Sequence, residues 1–142
     1  MITSHGGSTF AQTLIHRWAG RSSTRLASLY SENSLSIYGD YFSSESVIKA
    51  TCEDYAAGVN EDVKLQKLDQ QAIKKIECPT LVLFSEEYLG SRFDMRGVWQ
   101  KWMQEGMDLT VTGIKEAGHF LAEEAAEETV QEMMMFMEVV RE

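Results

Sequence analysis

The stretch IECPTLVLFSEEYLG, residues 76–90, decides the fold. Its centre, TLVLF at 80–84, is a short uninterrupted apolar run of the kind that fills a strand covered on both faces. Pro79, directly before it, is the only proline in the chain, and the text changes character there. Upstream, residues 1–77 read as helices and connections. TFAQTLIHRWAG places Phe10, Leu14 and Trp18 four apart on one helical face, with Gly20 positioned to end the segment. SSTRLASLYSEN follows with Ser23 or Thr24 as a cap, and SSESVIKATCEDYAAGV opens a further helical pattern on Ser44.

Downstream the pattern becomes α/β. Phe93 to Gly106 carries Val98, Trp99 and Trp102 at helical spacing and ends at a glycine, which predicts a crossover helix. MDLTVTGI, residues 107–114, alternates like a strand. From about Glu123 to Arg141, Val130, Met133, Met134, Met137 and Val140 fall on one helical stripe, which is read as core packing. Strand, helix, strand, helix is the signature of a parallel sheet with crossover connections. Two such strands cannot supply neighbours on both edges of an interior strand, so the chain reads as the end of a larger sheet.

Composition sets outer bounds. At 142 residues, 44% hydrophobic and 25% charged, the chain has the make-up of one globular domain. Thirteen Lys and Arg against 22 Asp and Glu give a net charge of −9, which repels phosphate backbones and anionic headgroups, and no basic patch offsets it. Nucleic acid is not expected as a partner. No apolar run approaches the roughly 20 residues of a membrane helix, and MITSHGGSTF lacks the basic and apolar regions of a leader. The expectation is a cytoplasmic protein without membrane association. Cys52 and Cys78 form no CxxC pair and are read as reduced, buried thiols. His5, His16 and His119 lie in separate segments without metal-site spacing, so neither a metal nor another cofactor is expected.

Two motifs invite a chemical reading. SHGGS at 4–8 looks like a loop that aims backbone N–H groups at developing negative charge, but such a loop needs a strand before it and only three residues precede His5. It is read as a turn before the first helix. KEAGHFLAEEAAEET, residues 115–129, places His119 after the second strand and before a helix whose first turns carry Glu123, Glu124, Glu127 and Glu128. Those glutamates oppose the helix dipole and are read as solvated. A loop beyond the last strand of a parallel sheet lies at the carboxyl edge, where open α/β sheets place their sites. Taken alone, a histidine there is more often structural than catalytic.

Taken in order, VIKATCEDYAAG, IECPTLVLFSEEYLG, FDMRGVWQKW and GHFLAEEAAEET resemble the C-terminal half of an α/β-hydrolase, most specifically the haloacetate (fluoroacetate) dehalogenase and epoxide hydrolase branch. The resemblance runs from about Phe10 onward. It implies an α/β fold consisting of a helical cap (1–77) and the last two parallel strands and helices of the core (78–142), with an incomplete sheet. It also implies a reaction in which an aspartate forms an ester with the substrate and a histidine-activated water hydrolyses it. His119 matches that catalytic histidine. Tyr55 matches the cap tyrosine that turns its hydroxyl to the leaving group, although Ala56 stands where the family often has arginine.

The resemblance also implies what is not in this chain: no GxSxG-like or GxDxG-like elbow and no strand with an HG oxyanion loop is present. The acid partner of the histidine is open. Tyr88 occupies the aspartate position of a GExD-like loop, Glu87 and Asp94 are substitutes, and in the dehalogenase branch the acid follows an earlier strand. Three readings therefore stand side by side: a hydrolase half that needs a complementing N-terminal half to act on a haloacid or epoxide, a non-catalytic interaction protein that pairs with another copy of itself or another chain through its open sheet edge, and a coding sequence shortened at its start.

Overall fold

A computed structural model describes residues 2–140. Eleven helices and strands follow one another among the described residues: α1 Ile2–His5, α2 Gly7–Trp18, α3 Ser23–Leu29, α4 Ser34–Tyr41, α5 Glu45–Val59, α6 Glu61–Gln71, β1 Thr80–Ser85, α7 Met95–Gln100, β2 Leu109–Ile114, α8 Leu121–Glu124 and α9 Ala126–Val140. A 3-10 turn, Ser31–Asn33, precedes α4, and a π-helical turn, Glu86–Gly90, follows β1. The chain divides into two compact units, residues 1–17 with 32–74 and residues 18–31 with 75–142. No helix of the described residues is long and apolar enough to cross a membrane.

The first unit is helical. Ala11 of α2 is buried, and the Gln12 side-chain amide donates to the Leu35 carbonyl of α4 at 3.4 Å. Helix α5 starts after Ser44, where the sequence places its opening, and packs against α6. Tyr41, Val59, Leu65 and Leu68 remain exposed. SHGGS spans the junction of α1 and α2, with a helix rather than a strand before it; the side chain of His5 lies outside the described residues.

In the second unit β1 and β2 pair in parallel, in register from Thr80 opposite Leu109 to Ser85 opposite Ile114. This is a two-stranded piece of an α/β sheet, as the apolar run and the alternation predict. Buried Ile114, Ala117 and Ala125 form a small core, with Leu121 packed against it. Asp94 caps α7 by accepting the Gly97 N–H at 3.0 Å, and Arg96 of α7 donates to the Leu109 carbonyl of β2 at 3.2 Å.

Several expectations need correction. The crossover helix stops at Gln100 instead of running to Gly106, because Ile76 donates to the Trp102 carbonyl at 2.8 Å and accepts the Gln104 N–H at 2.9 Å. A continuing helix would use both groups internally. The last helix breaks at Ala125 (φ −137°, ψ 48°), and Arg141 lies outside the described residues. The methionine stripe is not core: Met133, Met134 and Met137 are 47–59% exposed. Instead Glu128, Thr129, Glu132 and Phe136 are the half-buried row of α9, and Thr112 of β2 donates to the Glu132 carboxylate at 3.1 Å. Among the described residues nothing covers the methionine face. Cys52 and Cys78 are free, as expected, but exposed rather than buried.

Candidate functional site

His119 sits in the loop between β2 and α8, at the carboxyl end of the parallel strands. Its backbone is fixed and its ring is accessible: the residue is exposed, and its N–H donates to the Trp18 carbonyl at 3.0 Å. Three aromatic rings present edge-on contacts to the imidazole, with centroids at 5.5 Å (Trp18), 5.8 Å (Tyr88) and 5.1 Å (Phe120). Such edge-to-face geometry holds a ring by shape and quadrupole rather than by a hydrogen bond. Behind Tyr88, the Arg92 guanidinium lies 4.5 Å from the ring centroid, a cation–π contact.

The loop is fastened from three directions. Ser85, buried at the end of β1, donates to the Ala117 carbonyl at 2.6 Å and accepts the Tyr88 N–H at 3.0 Å. One hydroxyl thereby joins the strand end, the π-helical turn and the histidine loop. Residues 18–31 form the second fastening. Arg25 clasps both carboxylate oxygens of Glu128 at 2.7 and 2.9 Å and donates to the Lys115 carbonyl at 3.1 Å, while Ser28 donates to the Glu123 carbonyl at 2.7 Å. The hydrogen bond from Arg25, reinforced by its charge, holds the Glu128 carboxyl below its ordinary range.

The third fastening is Glu124, which is 1% exposed. Its Oε2 accepts the N–H groups of Gly20 at 2.7 Å and Gly118 at 2.8 Å, and its Oε1 accepts the Phe120 N–H at 3.0 Å. The reading of all four glutamates as a solvated helix start is therefore wrong for this one. The signal that could have shown it is local: a carboxylate one turn beyond Phe120 can reach back to the unpaired N–H groups ahead of the helix. Burial, and secondarily the Glu124 charge, push the Tyr30 phenol above its ordinary value. Two backbones meet beside this carboxylate. A Cβ on Gly20 would lie 2.7 Å from the Glu116 carbonyl oxygen and 2.9 Å from the Gly118 nitrogen, and one on Gly118 would overlap the backbone of residues 18–20.

The two substitute acids serve other partners. Asp94 is the cap of α7, and Glu87 accepts the Glu116 N–H at 2.9 Å, fixing a turn in which Glu116 has φ 58°. Among the described residues no hydrogen bond or ion pair joins a carboxylate to the His119 imidazole. Tyr88, at the aspartate position of the GExD-like loop, meets the ring through its aromatic edge. Tyr55 lies on α5 in the first unit and is 62% exposed.

No family model matches the chain. Solved structures do. A "putative acyltransferase" from Salmonella enterica superposes with a TM-score of 0.81 at 21% identity, over 98% of this chain and 43% of that one. A "putative epoxide hydrolase" from Pseudomonas aeruginosa gives 0.79 at 25% identity, over 94% of this chain and 42% of that one. Cfl2 from Burkholderia cenocepacia gives 0.74 at 21% identity, over 95% and 42%. The chain spans less than half the length of each of these structures. With its parallel strand pair, crossover helix and helical segments matched nearly end to end, it has the fold of the C-terminal half of an α/β-hydrolase, with an incomplete sheet.

Proposed function

We propose that the chain is the histidine-bearing half of a hydrolase of the haloacetate dehalogenase and epoxide hydrolase branch, acting with an N-terminal half that supplies the nucleophile. The observation that carries this reading is His119: an accessible imidazole on a backbone-fixed loop after the second parallel strand. The aspartate of the complementing half attacks the substrate carbon, which breaks the carbon–halogen bond or opens the epoxide and leaves an alkyl ester. His119 then takes a proton from water, the hydroxide attacks the ester carbonyl, and the carbonyl–oxygen bond to the alkyl group breaks, freeing the aspartate while the expelled alkoxide takes the proton back from the imidazolium to give a hydroxy acid or diol. Tyr55 is assigned to the leaving-group side on the resemblance alone. Without the nucleophile, a base retains only a small part of such machinery, so the chain by itself is expected to show little or no turnover.

The test is co-expression with the N-terminal half of a haloacetate dehalogenase, followed by assay of halide release from chloroacetate and of diol formation from an epoxide. Activity that appears in the mixture and disappears with His119→Ala supports the reading. No activity, or activity that survives His119→Ala, overturns it.

A second reading has its own observation: the exposed methionine face of α9 and, among the described residues, the unpaired outer edges of β1 and β2. Such surfaces favour a non-catalytic protein that pairs with another chain or another copy. A monodisperse monomer by light scattering, with outer-edge amides protected from hydrogen exchange, contradicts this second reading.

A further inference from the structure

We propose that Glu124 is a positioning residue for His119, acting through the peptide groups of the loop that carries it. The inference rests on the role proposed above for His119 and names the device that aims it. Gly118 N–H and Phe120 N–H lie on either side of the histidine, and both donate to the one Glu124 carboxylate. The Phe120 N–H lies in the peptide that leaves His119 and the Gly118 N–H in the one before the peptide that enters it; with the entering peptide held by the His119 N–H on the Trp18 carbonyl, the direction of the His119 Cα–Cβ bond is set.

The third donor, Gly20 N–H, draws in the segment whose Trp18 carbonyl accepts the His119 N–H and whose Trp18 ring meets the imidazole edge. One buried anion thus sets the loop backbone and part of the ring wall together. That matters for a general base, whose efficiency depends on reaching its proton within hydrogen-bond distance and at the right angle. Among the described residues no ion pair includes Glu124; three backbone N–H groups donate to it, and only an acceptor-only group can serve three of them at once. Glutamine has nearly the same shape but replaces one acceptor oxygen with a donor, so it sets N–H against N–H. The arrangement requires the carboxylate and not merely the volume.

The experiment is nuclear magnetic resonance on the full chain and its Glu124→Gln variant, reading the His119 ring signals and amide-proton exchange at Gly20, Gly118 and Phe120. Amides of the β1–β2 pair serve as the internal record that the fold is intact. The expected result is exchange about tenfold faster at the three amides, with His119 ring signals that shift or broaden while the strand amides hold. A purely structural role lowers the unfolding midpoint and leaves the ring signals of the folded chain in place, and that outcome overturns the proposal. If Glu124→Gln does not fold, the wild-type chain decides: backbone order parameters of about 0.85 at residues 118–120 support the proposal, and values below about 0.6 overturn it. These readouts do not depend on turnover. A complemented enzyme that proves inactive while the ring signals move sinks the hydrolase reading and leaves the positioning intact.

Discussion

The loop at 115–125 and the helix α9 that follows it depart from the plain reading of their sequence in opposite directions. In the loop an acid goes inside: Glu124 is buried, with three backbone donors on its carboxylate. In the helix the methionines stay outside, and the half-buried row contains Glu128, Thr129 and Glu132. Burial here follows what stands opposite each side chain. Unpaired N–H groups opposite a carboxylate make its burial favourable, because an unmet buried donor costs about 1–3 kcal/mol. An apolar stripe gains nothing where no surface removes it from water.

The largest test of this contrast strikes the loop at its tightest point. Gly118→Ala places a methyl group against the backbone of residues 18–20, and it is expected to cost about 3 kcal/mol in urea unfolding followed by tryptophan fluorescence. A cost below about 1 kcal/mol means that the two backbones do not meet as described.

A smaller effect belongs to the Arg25–Glu128 pair at the start of α9. The Glu128 carboxyl is held below its ordinary value of 4.5, so the pair contributes stability above that value and loses it as pH falls through the lower folded value. The Glu128 side chain is 46% exposed, which limits the contribution to about 1 kcal/mol or less and makes it sensitive to salt. Arg25→Ala should therefore destabilise at neutral pH, and the gap to wild type should narrow once pH lies below the folded value, leaving the part due to the Lys115 carbonyl. A gap that widens with acid reverses the sign and excludes the pair as its source.

The smallest effect is expected on the methionine face. Met134→Lys should change stability by no more than about 0.5 kcal/mol, because the side chain is already in water. If the same variant costs about 2 kcal/mol and dissociates an oligomer, a partner covers that face in solution.

How much was legible depends on the range of the interaction. β1 is readable because an uninterrupted apolar run after the only proline has few other uses, and α5 because Ser44 precedes a helical pattern. The place of His119 after a parallel strand follows from the order of elements. The end of α7 is not readable, since Trp102 and Gln104 leave the helix to bond Ile76, a residue on the far side of β1 in sequence. Residues 18–31 read as helical segments separated at Gly20 within the helical stretch before Pro79, and they belong to the compact unit of the strands, because Trp18, Gly20, Arg25 and Ser28 all bond the segment 115–128. The substitute acids Glu87 and Asp94 look equivalent on paper; one fastens a turn and the other caps a helix.

By itself the sequence determined the class of the fold, the strand–helix–strand–helix order after Pro79 and the loop that carries the histidine, because apolar periodicity, Pro79 and the flanking glycines act over one or two turns of chain. The tertiary structure alone decided which glutamate is buried, which face of α9 remains in water and which groups surround the imidazole. Each of those depends on donors, rings and backbones brought together from positions about a hundred residues apart, such as Gly20 and Glu124, and no local pattern records such a meeting.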